Sequence, residues 1–377
     1  MTRTTTPDTK GAPEMSETFD LNGIDYVEFW VGNARQSAYF YEHAFGFTPV
    51  AYCGPETGIR DRASYVLEQG EIRFVFTSAI VPDHPIAEHH ALHGDGVHDV
   101  ALGVPDVDAA WAIATSRGAT GAYEPRSASD DDGQVRLAGI NTYGETIHTL
   151  IDRSGYDGAF LPGYEALPQP AAGERAGIGL RFVDHVVGNT EDMNPWVDFY
   201  ERVLGFSELA HFTDSDITTE YSALMSKVVQ NGDGRVKFPI NEPATGKRKS
   251  QIEEYLEAYR GAGVQHIALL TDDIIRTVDE LHRRGVRFLE TPDSYYDAAE
   301  ERVGQIDEQW ADLRRTGVLV DRDDEGYLLQ IFTKPVQDRP TVFYEIIQRK
   351  GSRGFGEGNF KALFEAIERE QALRGNL

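Results

Sequence analysis

Apolar residues cluster along the chain in short runs broken by single polar residues. Residues 24–31 and 180–187 are two such runs and read as strands. Each is followed by a stretch with apolar residues at helical spacing, 34–44 and 193–203, and then by a glycine placed where a helix would end, Gly46 or Gly205. Further β-rich runs follow at 63–67, 72–77, 222–229 and 236–239. Near the C-terminus, Phe360, Leu363, Phe364 and Ile367 repeat at i, i+3, i+4 and i+7, behind Asn359 as a candidate N-cap. This predicts an amphipathic terminal helix, which periodicity alone reads as docked on the core.

The order of elements occurs twice. Val31-Gly32-Asn33, Phe40-Tyr41-Glu42 and Gly46-Phe47 reappear as Val187-Gly188-Asn189, Phe199-Tyr200-Glu201 and Gly205-Phe206, with three extra residues in the second copy. Gly96-Val97-His98-Asp99-Val100-Ala101-Leu102 likewise resembles Gly263-Val264-Gln265-His266-Ile267-Ala268-Leu269. Two copies of strand, helix and several strands predict an α+β chain of two similar domains. The expected division is a flexible tail over 1–18, a first domain over 19–158, a linker rich in Pro and Gly over 159–178 and a second domain over 179–377.

Composition narrows the function classes. The 377 residues are 40% hydrophobic and 26% charged, ordinary for a globular chain of two or three domains. No apolar run approaches the ~18 residues of a membrane helix. Sixty-two Asp and Glu against 36 Lys and Arg give a formal charge of −26, which repels nucleic acid and anionic membrane. The densest basic cluster, Lys247-Arg248-Lys249, is short. A single cysteine, Cys53, excludes an internal disulfide and disfavours a thiolate metal site. The polar start of the chain lacks the apolar core of a signal peptide, so a cytoplasmic protein is expected.

Candidate chemistry sits in the second copy. His185 and His266 occupy strand-like apolar contexts, and Glu345 interrupts Val342-Phe343-Tyr344-Glu345-Ile346-Ile347. A carboxylate with such neighbours needs a cation or a metal to offset its desolvation. The equivalent positions of the first copy carry Phe29, Asp99 and, on a looser alignment, Thr149. Each of the three could alone be a satisfied core group. Their joint presence in one copy and absence from the other points to one set, two imidazoles and a carboxylate, the facial triad of non-haem Fe(II) oxygenases. Other motifs read as ordinary structure. His89-His90 with His93 is taken as a solvated helix face without a third ligand. Asp321-Arg322-Asp323-Asp324-Glu325-Gly326 is taken as a turn rather than a calcium loop. Gly354-Phe355-Gly356-Glu357-Gly358 lacks the spacing of a dinucleotide fingerprint.

At these residues the sequence resembles the 4-hydroxyphenylpyruvate dioxygenase family of the vicinal-oxygen-chelate superfamily. The resemblance covers most of the chain and is densest from Tyr221 to Leu377. It is carried by Tyr221-Ser222-Ala223-Leu224-Met225-Ser226-Lys227, Lys237-Phe238-Pro239-Ile240-Asn241-Glu242-Pro243, Gly263-Val264-Gln265-His266-Ile267-Ala268, Tyr327-Leu328-Leu329-Gln330-Ile331-Phe332-Thr333 and Gly354-Phe355-Gly356-Glu357-Gly358-Asn359-Phe360. It implies tandem vicinal-oxygen-chelate domains built from βαβββ modules as open barrels, with a metal only in the second. It implies Fe(II) on His185, His266 and Glu345. It implies a substrate pocket from Ser226, Pro239, Asn241, Gln251, Gln265, Gln330, Phe332, Phe343, Phe355, Asn359 and Phe360. Phe332 and Phe343 are expected to clamp an aromatic ring by stacking, and Phe360, Leu363, Phe364 and Ile367 to line a lid helix. The implied reaction takes 4-hydroxyphenylpyruvate and O2 to homogentisate and CO2, in tyrosine catabolism and in a homo-oligomer. The rival readings are a 4-hydroxymandelate synthase on the same iron site, which a smaller aliphatic residue in place of Phe332 would favour, a metal-free binding protein of the superfamily, and a glyoxalase-type isomerase.

Overall fold

The computed structural model describes residues 19–169, 177–213, 223–244 and 246–376. The expected tail, part of the expected linker and Tyr221-Ser222 lie outside these residues. The first half runs β1 (Gly23–Trp30), α1 (Ala34–Ala44), β2 (Thr48–Cys53), β3 (Arg62–Gln69), β4 (Ile72–Ala79), α2 (Pro85–His93), β5 (Gly96–Gly103), α3 (Val107–Ser116), β6 (Gly121–Asp130), β7 (Gly133–Asn141), β8 (Ile147–Asp152) and β9 (Glu165–Ala166). The second runs β10 (Leu180–Asn189), α4 (Asn194–Leu204), β11 (Ser207–Phe212), β12 (Ala223–Gln230), β13 (Lys237–Ala244), α5 (Gln251–Tyr259), β14 (Gly263–Thr271), α6 (Ile274–Arg283), α7 (Asp293–Val303), α8 (Trp310–Thr316), β15 (Leu319–Arg322), β16 (Tyr327–Phe332), β17 (Phe343–Lys350) and α9 (Phe360–Arg374).

Each half forms one curled mixed sheet, in the orders β6-β7-β8-β5-β1-β4-β3-β2-β9 and β11-β12-β13-β10-β14-β17-β16-β15. In both, a βαβββ unit is followed by a second such unit, and the two first strands pair antiparallel at the centre (β1 with β5, β10 with β14). Side-chain alternation then sorts β17: Tyr344 and Ile346 enter the main core, while Phe343 and Glu345 face the other side of the sheet. The segment expected as a linker contributes β9, which pairs with β2 through Ala51–Ala166 and Tyr52–Glu165.

The two halves pack reciprocally. Tyr41 of α1 meets Tyr344 of β17, oxygen to oxygen at 2.7 Å, and Tyr200 of α4 meets His148 Nε2 of β8 at 2.8 Å. Gln69 stitches the junction further: its amide donates to the Phe45 carbonyl, and its Oε1 accepts from the backbone of Ile178 and Leu180.

Strand register fixes which residues of the copies correspond. Tyr26 lies opposite Ala101 as His185 lies opposite Ala268, so the counterpart of His185 is Tyr26, not Phe29. The repeated Val-Gly-Asn string misleads because it occupies different places. Asn33 sits beyond β1 and caps α1 through the Gln36 amide, whereas Asn189 is inside β10 and accepts from Asn241. Asp99 does correspond to His266, and Thr149 to Glu345, which β8 and β17 place in matching parallel register.

Candidate metal centre

His185, His266 and Glu345 stand on β10, β14 and β17, three adjacent strands of the second sheet. His185, Ala268 and Glu345 lie side by side across them, and the small Ala268 leaves room above it for the two larger side chains to meet. Glu345 Oε2 lies 3.1 Å from His185 Nε2 and 3.5 Å from His266 Nε2. Donor atoms about 2.1 Å from a common ion and at right angles would be about 3 Å apart, so the set fits one octahedral face.

Each imidazole is oriented from behind. His185 Nδ1 donates to Asp184 Oδ2 at 2.8 Å and His266 Nδ1 donates to Gln265 Oε1 at 2.9 Å. These bonds put the proton on Nδ1 and turn the Nε2 lone pair toward the shared point. Asp184 is itself gripped by Arg349 through two hydrogen bonds of 2.8 Å, with Phe355 over the guanidinium. Burial works against ionisation of Asp184, but Arg349 and His185 outweigh it and hold the carboxyl well below its ordinary range. Glu345 is lowered on the same balance, by His185 and His266 against burial. Burial lowers His266, with Glu345 opposing it; for His185 burial is overcome by Glu345 and Asp184, and the ring is raised.

The triad opens into a pocket walled largely by apolar side chains. Ser226, Pro239, Asn241, Gln251, Gln265, Gln330, Phe332, Phe343, Phe355 and Phe360 line it, as do Leu363, Phe364 and Ile367. The apolar stripe of α9 thus covers the metal-type triad rather than docking elsewhere. Asn359 does not line the pocket. It is fully buried, makes no cap bond, and accepts from Tyr295 Oη at 2.5 Å, which anchors the start of α9. Phe332 and Phe343 form no parallel clamp: their rings meet at 70°, and Phe343 instead stacks on His266 at 4.8 Å. Gln330 Oε1 is buried without a hydrogen-bond partner. Val187, Phe212, Leu224 and Val228 complete the wall; as plain apolar strand residues they carry no sequence signal.

The first copy keeps the frame and has lost the ligands. Asp25 holds Arg153 as Asp184 holds Arg349, and Phe160 covers Arg153 as Phe355 covers Arg349. In place of the triad, Asp99 accepts from Tyr26 Oη at 3.0 Å and from Thr149 Oγ1 at 2.6 Å. Both hydroxyls donate to Oδ2 and the Thr149 backbone N–H to Oδ1, and burial pushes the carboxyl up to about 6 against these bonds. Of the acidic run, Asp321 and Arg322 end β15 and the turn expected there spans 323–326: Asp323 accepts from the backbone of Glu325, Gly326, Arg353 and Gly354. The reading of His89 and His93 as solvated is wrong. Both are buried in α2, and Glu145 is the third group beside them.

Paired modules of this topology with one two-histidine, one-carboxylate centre define a dioxygenase- or glyoxalase-type class. The chain belongs to the glyoxalase/bleomycin resistance protein/dioxygenase superfamily, whose model matches residues 23–147 and again 182–331, and within it to the family of 4-hydroxyphenylpyruvate dioxygenases. It is 49% identical to the 4-hydroxyphenylpyruvate dioxygenase of Aspergillus fumigatus over 378 residues, 94% of each chain. It is 51% identical to that of Caenorhabditis elegans over 365 residues, 94% of this chain and 93% of the other. Among solved structures, a triple mutant of 4-hydroxymandelate synthase from Streptomyces coelicolor superposes with a TM-score of 0.83 at 38% identity, covering 93% of this chain and 99% of that one. No helix among the described residues is long and apolar enough to cross a membrane.

Proposed function

We propose that this chain is an Fe(II)-dependent dioxygenase that converts 4-hydroxyphenylpyruvate and O2 to homogentisate and CO2, with its chemistry confined to the second domain. The observation that carries the reading is the convergence of His185, His266 and Glu345 in a largely apolar pocket, in a chain about half identical to enzymes of that name. Bound there, Fe(II) would supply redox chemistry for O2 and a Lewis-acidic anchor for an α-keto acid. His185, His266 and Glu345 would hold it, beside the cavity.

The protein's part is placement and exclusion of water. Among the described residues the pocket lining carries no Lys or Arg, and Glu345 is its one carboxylate. A substrate carboxylate in this space therefore has the metal, not a side chain, as its counter-charge, which fixes which end of the substrate points to the triad. Gln251, Gln265, Gln330, Asn241 and Ser226 offer neutral donors and acceptors to the keto acid and the phenol. Phe332 and Phe343 bound the ring at edge and face, and the stripe of α9 keeps the site dry.

The test is product analysis. Fe(II)-loaded protein with 4-hydroxyphenylpyruvate, ascorbate and air is expected to yield homogentisate, and His266→Ala is expected to retain neither iron nor turnover. 4-Hydroxymandelate as the product would move the chain to the synthase reading. No product from iron-loaded protein would overturn the proposed substrate.

A further inference from the structure

We propose that His89, His93 and Glu145, all of the first domain, form a second divalent-cation site, of the Zn2+ class, at its contact with α5 of the second. It stands apart from the centre on β10, β14 and β17 and uses none of its residues.

The spacing is similar to that of the triad on β10, β14 and β17, with His89 turning Nδ1 rather than Nε2 to the carboxylate. Glu145 Oε2 lies 2.7 Å from His89 Nδ1 and 3.4 Å from His93 Nε2, beside 3.1 and 3.5 Å for the corresponding contacts of Glu345. His89 and His93 are i, i+4 on one face of α2, the helical spacing that lets two imidazoles share an ion. They are 2% and 4% exposed. His93 Nδ1 donates to the Tyr259 carbonyl at 2.5 Å, and that oxygen can only accept. Nδ1 therefore carries a proton, and the buried Nε2 faces the Glu145 carboxylate oxygen at 3.4 Å with no hydrogen-bond partner. A histidine held from behind by a backbone carbonyl, with its other nitrogen facing a carboxylate, is the arrangement metal ligands adopt.

The surroundings fix these groups. Trp30 packs edge-on against His89, and the Tyr259 ring lies 4.5 Å from that of His93. Glu145 follows Gly144, whose φ is +61°; a Cβ there would lie 2.1 Å from the Ala262 carbonyl oxygen, so the turn between β7 and β8 is wedged against the second domain. The Glu145 side chain is 49% exposed, which opens the site to solvent on one side. Two nitrogens and one oxygen with a water in the fourth position suit tetrahedral Zn2+. An ion here joins α2 and the β7–β8 turn, and the His93–Tyr259 bond carries the link to α5.

The experiment is metal counting on the full chain. Iron-loaded protein equilibrated with ZnCl2 and freed of excess is analysed by mass spectrometry. Wild type is expected to hold one Zn2+ in addition to its iron, and Glu145→Gln and His89→Gln to hold iron alone. Glu145 is solvent-facing, so Glu145→Gln is expected to fold and keep its dioxygenase activity. Zn2+ is expected to raise the melting midpoint of wild type by a few degrees and to leave Glu145→Gln unmoved. In apo protein, Co2+ is expected to give the absorption of a four-coordinate ion that survives His266→Ala and is lost in Glu145→Gln. Iron without Zn2+ in wild type, or Zn2+ retained equally by Glu145→Gln and His89→Gln, overturns the proposal.

Discussion

Asp184 touches no part of the cavity, yet three features of the centre pass through it. It sets the tautomer of His185, it neutralises the buried Arg349, and Lys237 Nζ lies 4.0 Å from it. Asp184→Asn is expected to weaken iron binding about 10- to 100-fold with the triad itself intact, measured by anaerobic Fe(II) titration. The triad was legible in the sequence because His185, His266 and Glu345 interrupt apolar strands, where a polar residue needs a reason. Asp184 was not, since an acidic residue next to a histidine is ordinary until the fold brings Arg349 beside it. His89 and His93 failed for a related cause: their partner Glu145 lies beyond three intervening strands, and helical spacing says nothing of what a helix packs against. Tyr26 was missed because a matching tripeptide outweighed strand register.

The terminal helix shows how far periodicity reaches at the level of elements. Its apolar stripe was evident, and the strands and the helices after β1 and β10 fell close to their expected bounds. The object beneath the stripe was not evident, because periodicity identifies a buried face without identifying its partner. α7 and α8 escaped notice; Asp293–Val303 is rich in charge and has too few apolar positions for a clear stripe. Polar contacts tie α9 down at its far end. Arg374 reaches Glu254 of α5 at 2.6 and 3.0 Å, and Lys334 reaches Glu370 at 2.7 Å. Glu254 is buried, so removing its partner leaves a charge with Asn376 as its remaining side-chain contact. Arg374→Ala is expected to destabilise the chain by about 1–3 kcal/mol and to speed amide exchange across 360–374 more than elsewhere. Denaturant titration and hydrogen exchange by mass spectrometry check the two parts.

For the whole molecule, duplication was readable from repeated motifs, and the asymmetry of chemistry from the residues that differ between copies. The packing of the copies was not readable, because it depends on residues such as Tyr41, His148, Tyr200 and Tyr344 that look like ordinary core. His148 gives that packing a pH dependence. Burial pushes its imidazole down to about 4, against the hydrogen bond to the Val100 carbonyl. A folded-state value below the unfolded ~6.5 means the unfolded chain binds the extra proton, so this contribution is full above about pH 6.5 and is lost as pH falls toward 4. His148→Gln is expected to lose up to about 2 kcal/mol less than wild type between pH 7 and pH 5. Urea unfolding at the two pH values measures the difference.

The reciprocal contact of Tyr41 with Tyr344 and of Tyr200 with His148 has a historical meaning. It is the self-complementary pattern of a two-fold dimer, now written within one polypeptide. Tandem fusion makes such a dimer indifferent to dilution, since each half is always supplied with its mate. Natural selection could then treat the two halves differently. The first half is in this sense a built-in partner subunit, and a substitution at Tyr41 is felt at Tyr344, one residue from Glu345.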